Sequence, residues 1–209
     1  METRTVLRLA LTIPLASSAA PPLPIIIDTD IGDDFDDSWA LAAAVSRPDL
    51  WDLKLVLTAA KDTRKRAQIV AKYLTLYNRT DVPIGIGVRT NPGRFPPMSL
   101  YPWAQDADLD AYAKAGGTVH EDGVAAAAGL LMSAHPPTII AIAPEPNFAA
   151  LLARFPAAAA RVPRIVAMFG GVDFCYGHKP IAAAGCPEYN VEENASAARC
   201  AARGLPLSS

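Results

Sequence analysis

Residues 24–37, PIIIDTDIGDDFDD, join an apolar run to six aspartates within ten positions. The run Ile25–Ile27 predicts a buried strand, and the aspartates follow where that strand ends. Carboxylates this close together raise one another's pKa, and a bound divalent cation relieves the repulsion. Oxygen ligands on a glycine-containing turn suit calcium or magnesium better than zinc. The stretch therefore predicts a metal and acid–base site formed among Asp28, Asp30, Asp33, Asp34, Asp36 and Asp37.

Other interpretations of the same residues stay open at this point. Aspartate favours helix N-termini, so part of the stretch could be a solvated loop that caps the next helix. A phosphatase with Asp28 as nucleophile and Asp30 as acid is a further alternative, although Gly32 stands where that class needs Thr or Val. An EF-hand is excluded, because the twelfth position counted from Asp28 is Trp39 and not the bidentate Glu.

Composition limits the classes of protein to consider. A chain of 209 residues with 51% hydrophobic residues suits one domain with a substantial core. The formal net charge of −2 offers no basic face, which argues against a nucleic-acid partner. No apolar run approaches the roughly 20 residues that a membrane span requires.

The first 22 residues are typical of a leader. Arg4 and Arg8 precede the apolar run 9–15, and small residues follow at 16–20. This order predicts a secretory signal peptide and a secreted protein, with a disordered leader on a cytoplasmic protein as the alternative. The folded domain is therefore expected over residues 23–209.

Three cysteines fit secretion only loosely. Cys175 and Cys186 bracket a loop that a disulfide could close, which would leave Cys200 unpaired. Free thiols remain the default, and a zinc site is not expected because the ligand spacing is wrong.

The rest of the chain alternates apolar strands with helical segments. Such alternation predicts an α/β fold, an open, mostly parallel sheet with helices on both faces. The acidic stretch lies at the carboxyl end of a strand, where ligands bind in such sheets. Residues 89–119, rich in proline, are expected to form a long surface excursion. Further strands are predicted at 53–57, 83–88, 138–143 and 164–169, and helices at 38–47, from Asp62 to 77, at 123–135 and at 147–155.

The acidic motif resembles the N-terminal aspartate motif of the inosine–uridine-preferring nucleoside hydrolases, in a variant with extra acidic residues. The resemblance implies their Rossmann-like fold. It also implies hydrolysis of the N-glycosidic bond of ribonucleosides by a calcium-activated water, in purine and pyrimidine salvage. Further segments match in the same order, at Thr58–Ala67, Val119–Gly123, Ile142–Ala149, Met168–Gly171 and Glu188–Val191.

The resemblance also implies roles in binding the metal and moving the proton. Asp30 and Asp37 match the calcium ligands, and the backbone carbonyl at Ile142 matches a third ligand. Asp36 aligns with the carboxylate that takes a proton from the calcium-bound water, and the expanded turn makes Asp34 its rival.

Further positions correspond to the substrate side. Glu188 and Asn190 resemble residues that hold the ribose hydroxyls, Asp62 stands where the family has an Asn or Asp of similar use, and His120 is a candidate at the rim. From the residues alone, Glu188 and Asn190 could equally shape a loop and cap a helix, and Asp62 could be a helix cap.

The family also has a further calcium-binding Asp in its C-terminal part, and no matching segment follows Asn190 here. We therefore expect a C-terminally truncated hydrolase, about the N-terminal two-thirds of the domain, with impaired activity. The alternative is a non-catalytic calcium- and ribose-binding remnant. Apolar surface should then be exposed, which leaves open the formation of a homo-oligomer.

Overall fold

A computed structural model describes residues 20–90, 98–171, 174–175, 179–180 and 188–204. The expected leader lies almost wholly outside these residues. The possible pairing of Cys175 with Cys186 also lies outside them, because Cys186 is not among the described positions. Within the described part of the chain, no helix is both long enough and apolar enough to cross a bilayer.

The expected open parallel sheet is confirmed. Its six strands run in the order β4-β3-β2-β1-β5-β6, and every neighbouring pair is parallel. The strands are β1 (Leu23–Thr29), β2 (Trp51–Thr58), β3 (Ile84–Ile86), β4 (Val119–His120), β5 (Thr138–Ala141) and β6 (Ile165–Ala167), and β7 (Phe174–Cys175) pairs with β8 (Lys179–Pro180) in a separate antiparallel ribbon.

Helices cover both faces of the sheet. Ile25 and Ile27 of the central strand share one core cluster with residues of the first two helices, whereas Ile26 packs with Ala127 on the opposite face. This alternation follows from the two-residue repeat of a strand. The helices are α1 (Asp36–Ser46), α2 (Thr63–Leu76), α3 (Tyr101–Ala104), α4 (Leu109–Lys114), α5 (Gly123–Leu131), α6 (Pro146–Arg154), α7 (Pro156–Ala159), α8 (Tyr189–Glu193) and α9 (Ala195–Gly204).

The expectation of a surface excursion over 89–119 is wrong for its described second half. That half contains α3 and α4, and Leu109 and Tyr112 of α4 are buried in the core. The Tyr112 hydroxyl donates to the carbonyl of Val82 at 2.6 Å. Helices of four and six residues are too short to show a hydrophobic period in the sequence. The proline content of the segment therefore favoured a loop.

The strand order places the acidic stretch at a special point of the sheet. The connections from β1 through β2 to β3 move along the sheet in one direction, and β5 and β6 lie on the other side of β1. The carboxyl ends of β1 and β5 therefore border a topological switch point, where open α/β sheets bind ligands.

Candidate active site

The end of β1 places buried polar groups at the switch point. Asp28, Thr29 and Asp30 are all buried. The Thr29 hydroxyl donates to Asp37 Oδ1 at 2.5 Å and accepts the amide of Ile31 at 3.1 Å. Thr29 thus ties the strand end to the first turn of α1, which begins at Asp36.

Asp30 and Asp37, the predicted metal ligands, lie close enough to repel each other. Burial raises the pKa of Asp37 to about 8, and the charge of Asp30 is the next largest cause. Burial likewise raises the pKa of Asp30 to about 7, against the lowering effect of Arg66. Two carboxylates in this state favour a proton or a cation between them.

A second group of carboxylates stands at the start of α1. Oxygens of Asp34, Asp36 and Asp37 all lie within 4.8 Å of one another, with Asp37 buried and the other two exposed. The hydrogen bond with Asp36 is the main cause that raises the pKa of Asp34 to about 6, followed by burial. Asp36 Oδ1 also accepts the amide of Asp37 at 2.9 Å, whereas the residue at the N-cap of α1 is Phe35, which makes no side-chain capping hydrogen bond.

Asp33 is held by cations that the sequence analysis missed. Its Oδ2 atom lies 2.8 Å from Lys61 Nζ and 3.1 Å from Arg66 Nη2. Arg66 is fully buried and also donates to the carbonyls of Ile31 at 2.9 Å and Ala60 at 3.1 Å. The acidic turn is therefore fastened to the segment that links β2 and α2.

Asp28 is held from the other side of the sheet. Asn147, buried near the start of α6, donates from Nδ2 to Asp28 Oδ1 at 2.8 Å. Burial raises the pKa of Asp28 well above its ordinary value, and the charge of Glu145 adds to the rise. Glu145 is itself buried, which raises its pKa to about 7. Neither Glu145 nor Asn147 was predicted as a site residue from the sequence.

The start of α8 lies beside the acidic turn, although it is more than 150 positions away in sequence. The Tyr189 hydroxyl donates to Asp33 Oδ2 at 3.5 Å. Glu188 caps the helix by accepting the amides of Asn190 at 3.0 Å and Val191 at 3.1 Å, and it also accepts the amide of Gly170 at 3.0 Å. Asn190 is buried and donates from Nδ2 to the carbonyl of Met168 at 2.9 Å. Both residues therefore have the loop-shaping contacts that the sequence left open.

The remaining predicted positions lie at the ends of other strands. Asp62 caps α2 by accepting the amide of Lys65 at 3.2 Å. Ile142 directly follows β5, and its amide donates to the carbonyl of Asp28 at 2.9 Å. His120 belongs to the edge strand β4, where it pairs with Gly85. Three strand spacings separate β4 from β1, about 14 Å, so His120 is not grouped with the acidic cluster.

The donor set fits a hard divalent cation. Calcium accepts carboxylate and carbonyl oxygens at about 2.3–2.6 Å, so two ligand atoms of one ion stand up to about 5 Å apart. The oxygens of Asp34, Asp36 and Asp37 satisfy that limit, so an ion held by Asp37 would lie close to Asp34 and Asp36. The raised pKa values of Asp30 and Asp37 mark carboxylates whose charge a cation would stabilise.

Fold and site together define a class of protein: an open parallel α/β domain with a carboxylate-lined ligand site at its switch point. Within that class, the profile described as inosine-uridine preferring nucleoside hydrolase matches residues 25–207. The chain belongs to the inosine-uridine preferring nucleoside hydrolase family.

Sequence similarity to a curated ribonucleoside hydrolase supports this assignment. The pyrimidine-specific ribonucleoside hydrolase RihA of Escherichia coli O7:K1 (strain IAI39 / ExPEC) is 32% identical over 156 residues, which are 72% of this chain and 49% of that protein. The chain thus spans about half the length of the curated relatives it matches.

Solved structures of the same fold include the plant nucleoside hydrolase PpNRh1, with a TM-score of 0.64 and 25% identity over 87% of this chain and 57% of that one. The type III effector protein XopQ, solved in complex with adenosine diphosphate ribose, has a TM-score of 0.59 and 25% identity over 88% of this chain and 53% of that one.

Proposed function

We propose that this chain acts on ribonucleosides and hydrolyses their N-glycosidic bond to free base and ribose, with calcium as its metal. The observation that carries the proposal is the group of oxygens from Asp34, Asp36 and Asp37 within 4.8 Å, at the switch point of the sheet and beside the buried Asp30. Family membership supports the reaction class, and the name of the E. coli relative supports a ribonucleoside as substrate.

Asp30, Asp37 and the backbone carbonyl of Ile142 would hold the calcium ion. When bound, calcium supplies Lewis-acid chemistry that lowers the pKa of water and orients it. The buried position of Asp30 and Asp37 supports this assignment, because carboxylates with raised pKa values gain most from a nearby cation.

Asp36 and Asp34 would move the proton. The oxygen of the attacking water forms a bond to the anomeric carbon of ribose while the bond from that carbon to the base nitrogen breaks. The water proton passes to the carboxylate of Asp36 or Asp34, and the departing base takes up a proton from solvent. The hydrogen bond with Asp36 raises the pKa of Asp34 to about 6, which suits a base near neutral pH.

Asp62 and Asn190 would hold the ribose. Asn190 uses its amide nitrogen on the Met168 carbonyl, so its contact with a hydroxyl would come through the amide oxygen. Glu188 already accepts three backbone amides, and we propose that it orients Asn190 as well as facing the substrate. Secretion and self-association remain predictions of the sequence.

The test is release of free base by the purified chain from uridine and inosine, measured by chromatography with calcium and with a chelator. We expect calcium-dependent release that falls at least about 100-fold in Asp36→Asn, the usual size of a general-base contribution. Asp34→Asn is run in parallel to decide which carboxylate is the base. Asp49→Asn serves as the control, because Asp49 is exposed and pairs with Arg47 far from the site.

Two results would contradict the proposal. The first is calcium-dependent release that is unchanged in both Asp36→Asn and Asp34→Asn. The second is binding of ribose without release of base by the wild-type chain, which would favour the non-catalytic alternative. Since the relative XopQ was solved with adenosine diphosphate ribose, that compound is included as a competitor.

A further inference from the structure

Two protein cations stand inside the acidic site. Arg66 is fully buried, and its Nη2 atom lies 3.1 Å from Asp33 Oδ2 and 3.9 Å from Asp30 Oδ2. Lys61 is almost as buried, with 6% of its side chain exposed and its Nζ atom 2.8 Å from the same Asp33 oxygen. A buried cation requires a close anion, and Asp33 provides it for both.

The backbone that carries Lys61 adopts an uncommon conformation. Ala60 and Lys61 have φ values of 60° and 48°, a left-handed region that L-residues rarely occupy in succession. Surrounding contacts fix this turn, because the Ala60 amide donates to the Val88 carbonyl at 3.2 Å and the Lys61 amide donates to Thr90 Oγ1 at 2.9 Å. Such strain persists where the structure needs a particular side-chain direction, and here it directs Lys61 toward the acidic turn.

Both cations converge on the carboxylate of Asp33. One carboxylate oxygen of Asp33 receives both cations, and within the described part of the chain the other oxygen is buried without a hydrogen-bond partner. Two positive charges thus meet at one carboxylate oxygen of Asp33, and Arg66 also lies 3.9 Å from Asp30 Oδ2. Both cations favour the ionised form of the Asp30 carboxylate.

We propose that Lys61 and Arg66 are built-in counter-charges of the metal site, positioning residues that hold the acidic turn in place and limit the charge of the cation that the site accepts. The inference rests on the proposed function, because it assumes that a cation binds beside Asp30 and Asp37. Fixed positive charge repels a trivalent ion more than a divalent ion of similar radius in proportion to charge. Lys61 and Arg66 therefore favour divalent over trivalent ions.

The test compares calcium with terbium, a trivalent ion of similar size. Both affinities are measured on the full chain by calorimetry, with terbium luminescence as a second readout, and their ratio is compared between variants. Loss of a structural support weakens both ions together and leaves the ratio unchanged, whereas loss of a fixed charge changes the ratio. We expect Lys61→Met to raise the preference for terbium about tenfold.

Matched variants separate charge from structure. Lys61→Arg keeps the charge and should restore the wild-type ratio. Asp33→Asn removes the anion between the two cations and should lower the preference for terbium about tenfold, so it tests the idea even where Lys61→Met fails to fold. Lys72→Met is the control, because Lys72 of α2 pairs at 2.6 Å with Asp106, which follows α3, away from the site.

An unchanged ratio in folded Lys61→Met and in Asp33→Asn would overturn the role of Lys61 while calcium binding still stands. Failure of the wild-type chain to bind calcium at all would instead overturn the proposed function, and the inference with it. Circular dichroism of each variant shows that the fold is retained before the affinities are compared.

Discussion

Asn147 Nδ2 donates to Asp28 Oδ1 at 2.8 Å across 119 positions of the sequence. The same nitrogen donates to the carbonyl of Thr58 at 3.0 Å, and Asn147 Oδ1 accepts the amide of Val88 at 2.7 Å. One buried side chain from α6 therefore joins the end of β1, the end of β2 and the segment after β3. The position of the Asp28 carboxylate in the candidate site therefore depends on the side-chain amide of Asn147.

Replacing Asn147 by Leu should destabilise the fold by about 2–4 kcal/mol. The substitution leaves the Thr58 carbonyl, the Val88 amide and the Asp28 carboxylate without their partner in a buried place. Urea unfolding followed by circular dichroism measures the loss. Asn78→Gly is the matched control, since Asn78 is exposed with a φ of 54° and its replacement should change stability by less than about 0.5 kcal/mol. Equal effects at the two asparagines would contradict this account.

The close approach of Asn147 and Thr58 requires a glycine at position 87. A Cβ atom at this position would stand 2.1 Å from the Thr58 carbonyl oxygen and 2.3 Å from Asn147 Oδ1. Gly87→Ala should therefore cost more than about 3 kcal/mol, because backbone atoms cannot yield. Gly129→Ala in α5 should stabilise the protein by up to about 1 kcal/mol, since nothing lies within 4 Å of its Cβ and alanine favours the helix. Thermal unfolding of the two variants tests the contrast, and a Gly87→Ala protein as stable as wild type would refute it.

The sequence predicted the main elements of the fold because their signals are local. The continuous run Ile25–Ile27 marks a strand covered on both faces, and Asp62 marks the start of α2. The two-residue strand β4 and the short helices α3 and α4 have no such signal. Their formation depends on tertiary contacts, such as the hydrogen bond from Tyr112 to Val82.

Only part of the candidate site was predicted, because only some of its residues lie close together in the sequence. The aspartates lie together in sequence, so their crowding was visible, and the predicted relief was a metal. Lys61 and Arg66 stand 28 and 33 positions from Asp33, and nothing in the spacing shows that they reach it. A lysine beside the helix-capping Asp62 at the carboxyl end of a strand was the only available hint. Glu145 and Asn147 lie in a segment noted for its resemblance, but their burial depends on how α6 packs against the sheet.

Asp62 should show separable capping and binding effects. Asp62→Ala removes the oxygen that accepts the Lys65 amide, so unfolding should become easier by about 1 kcal/mol. Asp62→Asn keeps a capping oxygen and should retain stability within about 0.5 kcal/mol. Under the proposed function, both variants should raise KM for the nucleoside, because both alter the ribose contact. Asp108→Ala is the control, since Asp108 caps α4 away from the site and should lower stability without changing KM. A normal KM in Asp62→Asn would restrict Asp62 to its capping role.

The buried carboxylates predict how stability without metal depends on pH. Burial raises the pKa of Asp30 to about 7 and that of Asp37 to about 8, from an ordinary value of 3.8. Between pH 3.8 and about pH 7 to 8, the folded protein therefore binds more protons than the unfolded chain. The stability that these groups contribute is therefore fully present below about pH 4 and is lost as the pH rises through 7 to 8.

In a chelator, the melting temperature should thus fall by several degrees between about pH 5 and pH 8.5, since about 1 kcal/mol shifts a domain of this size by 2–4 °C. Under the proposed function, calcium at about 1 mM should reverse most of the loss at the higher pH, because the ion would bind the ionised carboxylates of the folded state. Asp30→Asn should reduce the pH dependence without abolishing it, because burial still raises the pKa of Asp37. Asp106→Asn should leave the pH dependence unchanged, because the pair with Lys72 lowers the pKa of Asp106 and puts its titration below this range. Differential scanning fluorimetry in paired buffers measures all three proteins. Suppose that the wild-type protein in chelator is equally stable or more stable at the higher pH. Ionisation of Asp30 and Asp37 would then not be what destabilises the folded protein.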